Sequence, residues 1–246
     1  MKAVAIIPSR LESSRLPEKA LKDICDIPMI IHVLKRCQLS KELSGVVVAT
    51  DSKKILDVVS SWGGKAVLTS KEHKTGTDRI AEAAKDIDAD LIVNVQGDEA
   101  LVNPNHIDTI VKVMKQNPEI NVGILVNDFY KLNSPGDIKV VLNENDEVMY
   151  LSRSDIPSLF RTKNIKMLKA YHVVPFRKEF LFKYTSWGPT FLETIEFNEY
   201  LRILEKGEIF KAVKVDSAAL SVDTQDDLEE VRKIMITDNL FKSYSK

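Results

Sequence analysis

The chain has 246 residues, 44% of them hydrophobic, with a formal net charge of −1 from 35 basic and 36 acidic side chains. That size and apolar content exclude a disordered chain, and the balanced charge excludes a broad footprint for nucleic acid or an anionic membrane, so any anion site must be built from local groups. No apolar run approaches the roughly 20 residues of a membrane helix, Met1 to Pro8 is too short for a signal peptide, and Cys25 and Cys37 lack the spacing of a zinc or redox pair; the expectation is a cytoplasmic protein with structural thiols, with no nucleic acid and no membrane as partner.

In chain order, continuously apolar runs at Ala3 to Ile7, Val46 to Ala49, Ala66 to Leu68 and Leu91 to Val95 read as buried strands. Helical patterns alternate with them: Pro28 to Cys37 aligns Met29, Ile30, Val33 and Leu34, Lys53 to Ser61 aligns Ile55, Val58 and Val59, and Thr77 to Lys85 carries Ile80 and Ala84. Asn103 before Pro104 is an N-cap and first-turn pair opening a helix through Met114. This order predicts an α/β fold with a mainly parallel twisted sheet and helices on both faces, whose ligands sit beyond the carboxyl ends of the strands.

From Asn121 the pattern turns to strands at Val122 to Val126, Lys139 to Leu142 and Tyr171 to Val174, separated by loops rich in Asn, Asp and Pro. A small inserted lobe over about 121–215 is the expectation, within a single domain spanning 1–246. A helix over Glu193 to Lys206, a strand at Phe210 to Val215, and a last helix capped by Thr224 with Asp227 three residues on complete the chain.

The first strand runs into Ser9 to Lys19, which holds Arg10, Arg15 and Lys19 with the hydroxyls of Ser9, Ser13 and Ser14. Guanidinium groups pair with phosphate oxygens two at a time, an ammonium acts as a point charge and serines add donors, so the loop has the composition of a triphosphate cradle. Its other reading is a solvated charged loop, but a first strand-to-helix junction is where α/β proteins put phosphates, and Pro17 stiffens it. Neither a G-x-G-x-x-G nor a P-loop follows the strand, which excludes the usual dinucleotide and P-loop readings. The fourth strand ends in Gln96, Gly97, Asp98 and Glu99, acids that packing alone seldom puts there. Asp223 follows another apolar stretch and either serves the start of the last helix or joins Asp98; the pair would suit Mg²⁺, which takes one or two carboxylates plus phosphates and water.

Longer matches carry a resemblance. Ile7 to Lys19, Pro28 to Val33, Val48 to Asp51, Thr75 to Glu82, Val93 to Glu99, Ser152 to Pro157 and Val222 to Leu228 together resemble the 3-deoxy-manno-octulosonate cytidylyltransferases, also called CMP-Kdo synthetases, within the glycosyltransferase-A-like nucleotidyltransferases. The resemblance covers nearly the whole chain. It implies a homodimer that couples CTP to an acidic sugar, the anomeric hydroxyl attacking the α-phosphorus to leave a CMP-sugar and pyrophosphate. It implies that Arg10, Arg15 and Lys19 hold the triphosphate with Ser14, that Thr77, Asp78, Arg79 and Gln96 lie around the cytidine, and that Asp98 and Asp223 bind Mg²⁺, Asp98 acting with the cations in catalysis.

The chain also departs from that pattern. Glu18 and Ala20 flank Lys19 where the family has glycine and proline, which predicts altered charge at the phosphates and weaker CTP binding. Ala170 and Val174 stand where the family has a sugar-contacting His and Tyr, and Tyr200 where it has Gln. His172 is either a replacement for the lost His or a residue on the other face of the strand. Arg153 and Arg202 are the expected partners of the acceptor's carboxylate, or else surface ion-pair formers, and Glu199 and His172 complete the acceptor set. These losses predict a Kdo-like acid that is smaller, deoxygenated or modified, or another anionic nucleophile. A transferase using another nucleotide and an inactive nucleotide-binding regulator remain as alternatives.

Overall fold

The computed structural model describes residues 1–13, 15–158, 160–161 and 166–245. In chain order they form β1 (Ala3–Ser9), a 3₁₀ turn (Lys19–Leu21), β2 (Asp23–Ile24), β3 (Ile27–Pro28), α1 (Met29–Gln38), β4 (Gly45–Thr50), α2 (Lys53–Ser61), β5 (Lys65–Leu68), α3 (Gly76–Ala84), β6 (Leu91–Val95) and α4 (Pro104–Gln116). There follow β7 (Gly123–Phe129), β8 (Lys139–Leu142), β9 (Val148–Ser152), β10 (Met167–Tyr171), β11 (Val173–Arg177), α5 (Lys178–Ser186), α6 (Phe191–Glu196), α7 (Leu201–Glu205), β12 (Lys211–Lys214), α8 (Gln225–Thr237) and α9 (Phe241–Tyr244). The chain divides into two compact units, Met1–Asp108 with Ala219–Lys246, and Thr109–Ala218. No helix among the described residues is long and apolar enough to cross a membrane.

In the first unit β6, β1, β4 and β5 lie side by side and every pairing is parallel, with Val4 opposite both Gly45 and Ile92. All residues of β1 and β6 are buried, as continuously apolar parallel strands should be. β5 departs from the expectation of a buried strand: it lies outermost in that order, and Leu68 is 56% exposed. The first and third helices begin where β1 and β6 need cover, with Met29, Ile30, Ile31, Val33 and Leu34 of α1 buried and Ile80, Ala81 and Ala84 of α3 buried. Helix α8, read from the sequence as the last, starts as predicted, and the short α9 follows it. Thr224 accepts the Asp227 backbone N–H at 3.2 Å while the Asp227 carboxylate accepts the Thr224 N–H at 2.8 Å, a reciprocal cap that satisfies two otherwise orphaned donors.

The second unit holds a sheet in the order β12, β7, β10, β8, β9, in which only the β12–β7 pair is parallel. This unit opens inside α4, earlier than residue 121, because the second half of that helix is anchored here: Arg177 donates to the carbonyls of Met114 and Asn117, both at 3.0 Å. Two further expectations are corrected. The single strand read over Tyr171 to Val174 is two strands, β10 and β11, interrupted at His172. The single helix over Glu193 to Lys206 is α6 and α7, broken where Phe197 turns left-handed at φ 50°. Sequence periodicity passed over α5 because Phe180, Leu181 and Tyr184 are buried among interspersed lysines that blur the apolar stripe.

Phe197 caps α6 in a conformation that suits glycine, and its ring is 81% exposed. Phe197→Gly is expected to raise unfolding stability by about 0.5–1 kcal/mol in urea or thermal melts, since the backbone strain is relieved and little packing is lost. A loss of stability would show that the ring is covered in solution.

Candidate active site

A cavity in the first unit gathers the carboxyl ends of β1 and β6, the loop after β1 and the starts of α3 and α8. β1 contributes Pro8 and Ser9, and the loop after it contributes Arg10, Glu12, Ser13, Arg15 and Lys19. Gln96, Gly97 and Asp98 enter from β6, and Asp223 from the residue before the α8 cap. Gly97 is required by close approach: a Cβ there would sit 2.8 Å from the Pro8 carbonyl oxygen, so a larger residue would part the ends of β1 and β6.

The charged centre is a chain of ion pairs. The Lys19 ammonium lies 2.7 Å from Asp98 Oδ2 and 3.1 Å from Asp223 Oδ1, and Arg15 Nη2 is 2.9 Å from the same Asp223 oxygen. One ammonium thus stands between two carboxylates that are far apart in the sequence, at positions 98 and 223. Burial works against the charge on Lys19, but Asp98 and then Asp223 outweigh it and hold its pKa above the usual 10.5. Arg10 is exposed on the same cavity and makes no ion pair with any described residue, which leaves its guanidinium available. Asp223 does not serve the helix start. Thr224 and Asp227 form that cap, and Asp227 also accepts the Asp223 backbone N–H at 3.1 Å, so the Asp223 carboxylate is left to face the cations.

These side chains are anchored by a common hydrophobic cluster. Leu16 follows Arg15, Ala100 lies two residues after Asp98 and Val222 precedes Asp223, and all three are buried together with Met29, Leu228 and Val231. Each cavity-facing group is therefore tied at its backbone to one packed core, which limits its freedom far more than its own solvated bonds could. Glu18, the departure beside Lys19, sits left-handed at φ 53° and directs both carboxylate oxygens to Lys54 at 2.8 Å. Its charge is neutralised on α2 and it does not line the cavity.

The remaining expected nucleotide residues divide. Gln96 lines the cavity and donates to Asn94 at 3.2 Å. Arg79 reaches the cavity but is 4% exposed, and is bound to Asp51 at 2.7 Å and Thr69 Oγ1 at 2.6 Å. Thr77 is fully buried and neither it nor Asp78 lines the cavity; Ser14 lies outside the described residues. Sequence reasoning missed His73, Lys74 and Thr75, which line the cavity from the loop between β5 and α3. The usable signal was Thr75, whose side chain caps α3 by accepting from the Asp78 N–H at 3.1 Å and so marks a strand-to-helix loop. His73 bonds Glu82, whose carboxyl is held below the usual carboxylate range first by the Ser70 backbone N–H and then by His73.

In the second unit both expected acceptor arginines have partners within the protein. Arg202 is 3% exposed and doubly bonded to Glu193, at 2.8 and 2.5 Å, with its guanidinium 4.7 Å over the Tyr184 ring. It closes the start of α6 against α7 and offers no free face to a ligand. Arg153 donates from Nε, Nη1 and Nη2 to the carbonyls of Glu196, Pro135 and Phe197, a loop clasp rather than a surface ion pair. His172 stacks on Tyr200 at 6.1 Å and 26°, and Glu199 accepts the Tyr184 hydroxyl at its carbonyl, 2.7 Å away. Ala170 and Val174 are fully buried.

Among the described residues no group of three or more His, Cys, Asp or Glu could hold a metal unaided. Two facing carboxylates beside a cationic loop nonetheless fit Mg²⁺, a hard ion that draws its other ligands from phosphates and water.

Comparison with known proteins gives concordant results. A cytidylyltransferase family model matches residues 4–213. The 3-deoxy-manno-octulosonate cytidylyltransferase of Geotalea uraniireducens is 38% identical over 94% of this chain and 98% of that protein, and that of Chloroherpeton thalassium is 40% identical over 96% and 98%. Among solved structures, a CMP:2-keto-3-deoxy-manno-octonic acid synthetase complexed with CTP superposes with a TM-score of 0.92 at 34% identity, covering 96% of this chain and 99% of that one. A glucose-1-phosphate thymidylyltransferase from Bacillus anthracis shares the fold alone, at a TM-score of 0.70 and 14% identity.

Removing the bridging ammonium leaves two carboxylates facing each other at a partly buried site. Lys19→Met is expected to cost about 1–2 kcal/mol of unfolding stability at pH 7, between the figures for exposed and fully buried pairs. Because the folded pKa of Lys19 is raised, this difference from the wild type is full below pH 10.5 and shrinks as pH rises through the higher folded value. Melts at pH 7 and above 10.5 check both statements.

Proposed function

We propose that this chain, which belongs to the 3-deoxy-manno-octulosonate cytidylyltransferases within the cytidylyltransferase family, transfers the cytidylyl group of CTP to a 3-deoxy-2-keto sugar acid. The anomeric hydroxyl oxygen bonds to the α-phosphorus, the bond from that phosphorus to the bridging oxygen breaks, pyrophosphate leaves and the hydroxyl proton is lost. The observation that carries this reading is the Lys19 ammonium held between Asp98 and Asp223 at the end of a cationic loop. Arg10 and Arg15 bind the triphosphate through paired N–H donors, and Lys19 turns its charge to the phosphates as they enter. Gln96 borders the cytidine with Arg79, which braces the loop that carries His73 and Thr75. Asp98 and Asp223 hold Mg²⁺, which when bound supplies charge neutralisation at the phosphoryl oxygens and leaving group.

The acceptor half of the reading is narrower. At the positions where the family resemblance puts His, Tyr and Gln, this chain has buried Ala170, Val174 and Tyr200, and Tyr200 packs against Phe176 and Phe210. A site with fewer polar groups recognises fewer hydroxyls, so the acid is Kdo or a Kdo-like acid with part of its polar edge absent or modified. His172 and Glu199 are the acceptor contacts kept in this proposal. The unit Thr109–Ala218 carries acceptor binding and the homodimer contact, and the exposed Phe191 and Ile195 support the latter.

Pyrophosphate release from CTP and Mg²⁺ across a panel of 2-keto-3-deoxy acids tests the proposal. At least one acid should support turnover, and Asp98→Asn should lower kcat by about 10²–10³ while CTP affinity changes by less than about tenfold. CTP binding without release on any acid would instead favour a nucleotide-binding regulator.

A further inference from the structure

Asp98 and Asp223 can act together only if the end of β6 and the start of α8 are held at a fixed separation. Lys19 cannot set that separation by itself, since its long side chain is the group that must turn toward phosphate. Two other links join the segments. The Val222 N–H donates to the Asp98 carbonyl at 3.1 Å, and the Ser221 hydroxyl donates to Glu99 Oε1 at 2.6 Å. Glu99 is 2% exposed and directly follows Asp98, while Ser221 lies two residues before Asp223.

The backbone turn and the helix cap on either side close without this carboxylate. The turn after β6 is closed by backbone bonds, Glu99 N–H to the Gln96 carbonyl at 3.2 Å and Val102 N–H to the Glu99 carbonyl at 2.9 Å, and α8 is capped by Thr224 and Asp227. Burying a carboxylate is costly unless its bonds are made, a cost an apolar residue would not carry. What the acid adds is a short charge-assisted bond of fixed length, placed one residue from Asp98 and two from Asp223.

We propose that Glu99 and Ser221 form a positioning pair that sets the spacing of the Asp98 and Asp223 carboxylates and thereby the affinity of that pair for the divalent ion. The inference rests on the reading of Asp98 and Asp223 as the metal-binding acids. Neither member of the pair touches substrate; each acts through its neighbour. Partners of this kind around metal ligands alter metal affinity by about 10–100-fold when removed.

The test compares wild type, Ser221→Ala, Glu99→Gln and Ser221→Thr. Three quantities are measured: the Mg²⁺ concentration for half-maximal pyrophosphate release, the KM for CTP at saturating Mg²⁺, and Mn²⁺ affinity by water-proton relaxation with CTP present. Ser221→Ala is expected to raise the half-maximal Mg²⁺ and weaken Mn²⁺ binding about tenfold with KM for CTP within about twofold. Glu99→Gln, which keeps an acceptor of similar shape but loses the charge, shifts both in the same direction by less, and Ser221→Thr, which restores the hydroxyl, returns them to wild type. The inference is overturned if metal dependence stays within about twofold of wild type in both disrupting variants, or if activity falls in step with melting temperature and threonine does not rescue it. Should Ser221→Ala fail to fold, the Glu99→Gln and Ser221→Thr pair decides alone. A wild-type protein with no metal dependence would sink the underlying reading, a result distinct from an active wild type whose variants do not shift.

Discussion

The candidate site depends on one ammonium. Two ionised carboxylates close together in a partly buried cavity repel each other unless a cation lies between them, and Lys19 supplies it at 2.7 and 3.1 Å. In doing so it joins three segments remote in sequence: the loop after β1, the end of β6 and the start of α8. The energetic support comes from below the charges. Leu16, Ala100 and Val222 pack in the same buried cluster, each within two residues of a charged group, so hydrophobic burial fixes the backbones and leaves the ionic groups to face an incoming ligand. An incoming triphosphate can then exchange places with the carboxylates as the partner of Lys19 and Arg15, with the fold unchanged.

Much of this was legible in the sequence, for identifiable reasons. Parallel strands buried on both faces leave unbroken apolar runs, and β1, β4 and β6 were visible within a few residues of their true ends. Motif spacing marked Arg10, Arg15, Lys19 and Asp98, because the ends of such strands lead straight into the cavity. Asp223 was ambiguous, since an acid before a helix usually serves as its cap; only the reciprocal bonding of Thr224 and Asp227 releases it. Three features could not be read. A two-strand interruption at His172 and a helix break at Phe197 depend on backbone angles that composition does not encode, and the burial of Arg202 depends on Glu193 reaching it across α6 and α7. Charge alone suggested a ligand-binding arginine; packing makes it a structural one.

The two units have diverged unequally from the family pattern. In the first unit the departure beside Lys19 is absorbed locally, because Glu18 turns away to Lys54 and its charge never enters the cavity. In the second, Tyr200 stands where the resemblance puts Gln, and it stacks on His172 and packs on Phe176 and Phe210 in one aromatic cluster. On the proposed reading, a change there would alter which acid is accepted and leave the nucleotide site in place, since every described residue lining the cavity that holds Lys19, Asp98 and Asp223 belongs to the first unit.

The most direct test of the central claim is the anomalous scattering of Mn²⁺ in crystals grown with CTP. A peak between the Asp98 and Asp223 carboxylates and the triphosphate, with the Lys19 ammonium shifted from those carboxylates onto phosphate oxygen, is the expected result. A metal peak away from both acids, or a bound triphosphate with Lys19 still bridging them, would contradict the assignment of this cluster as the nucleotide and metal centre.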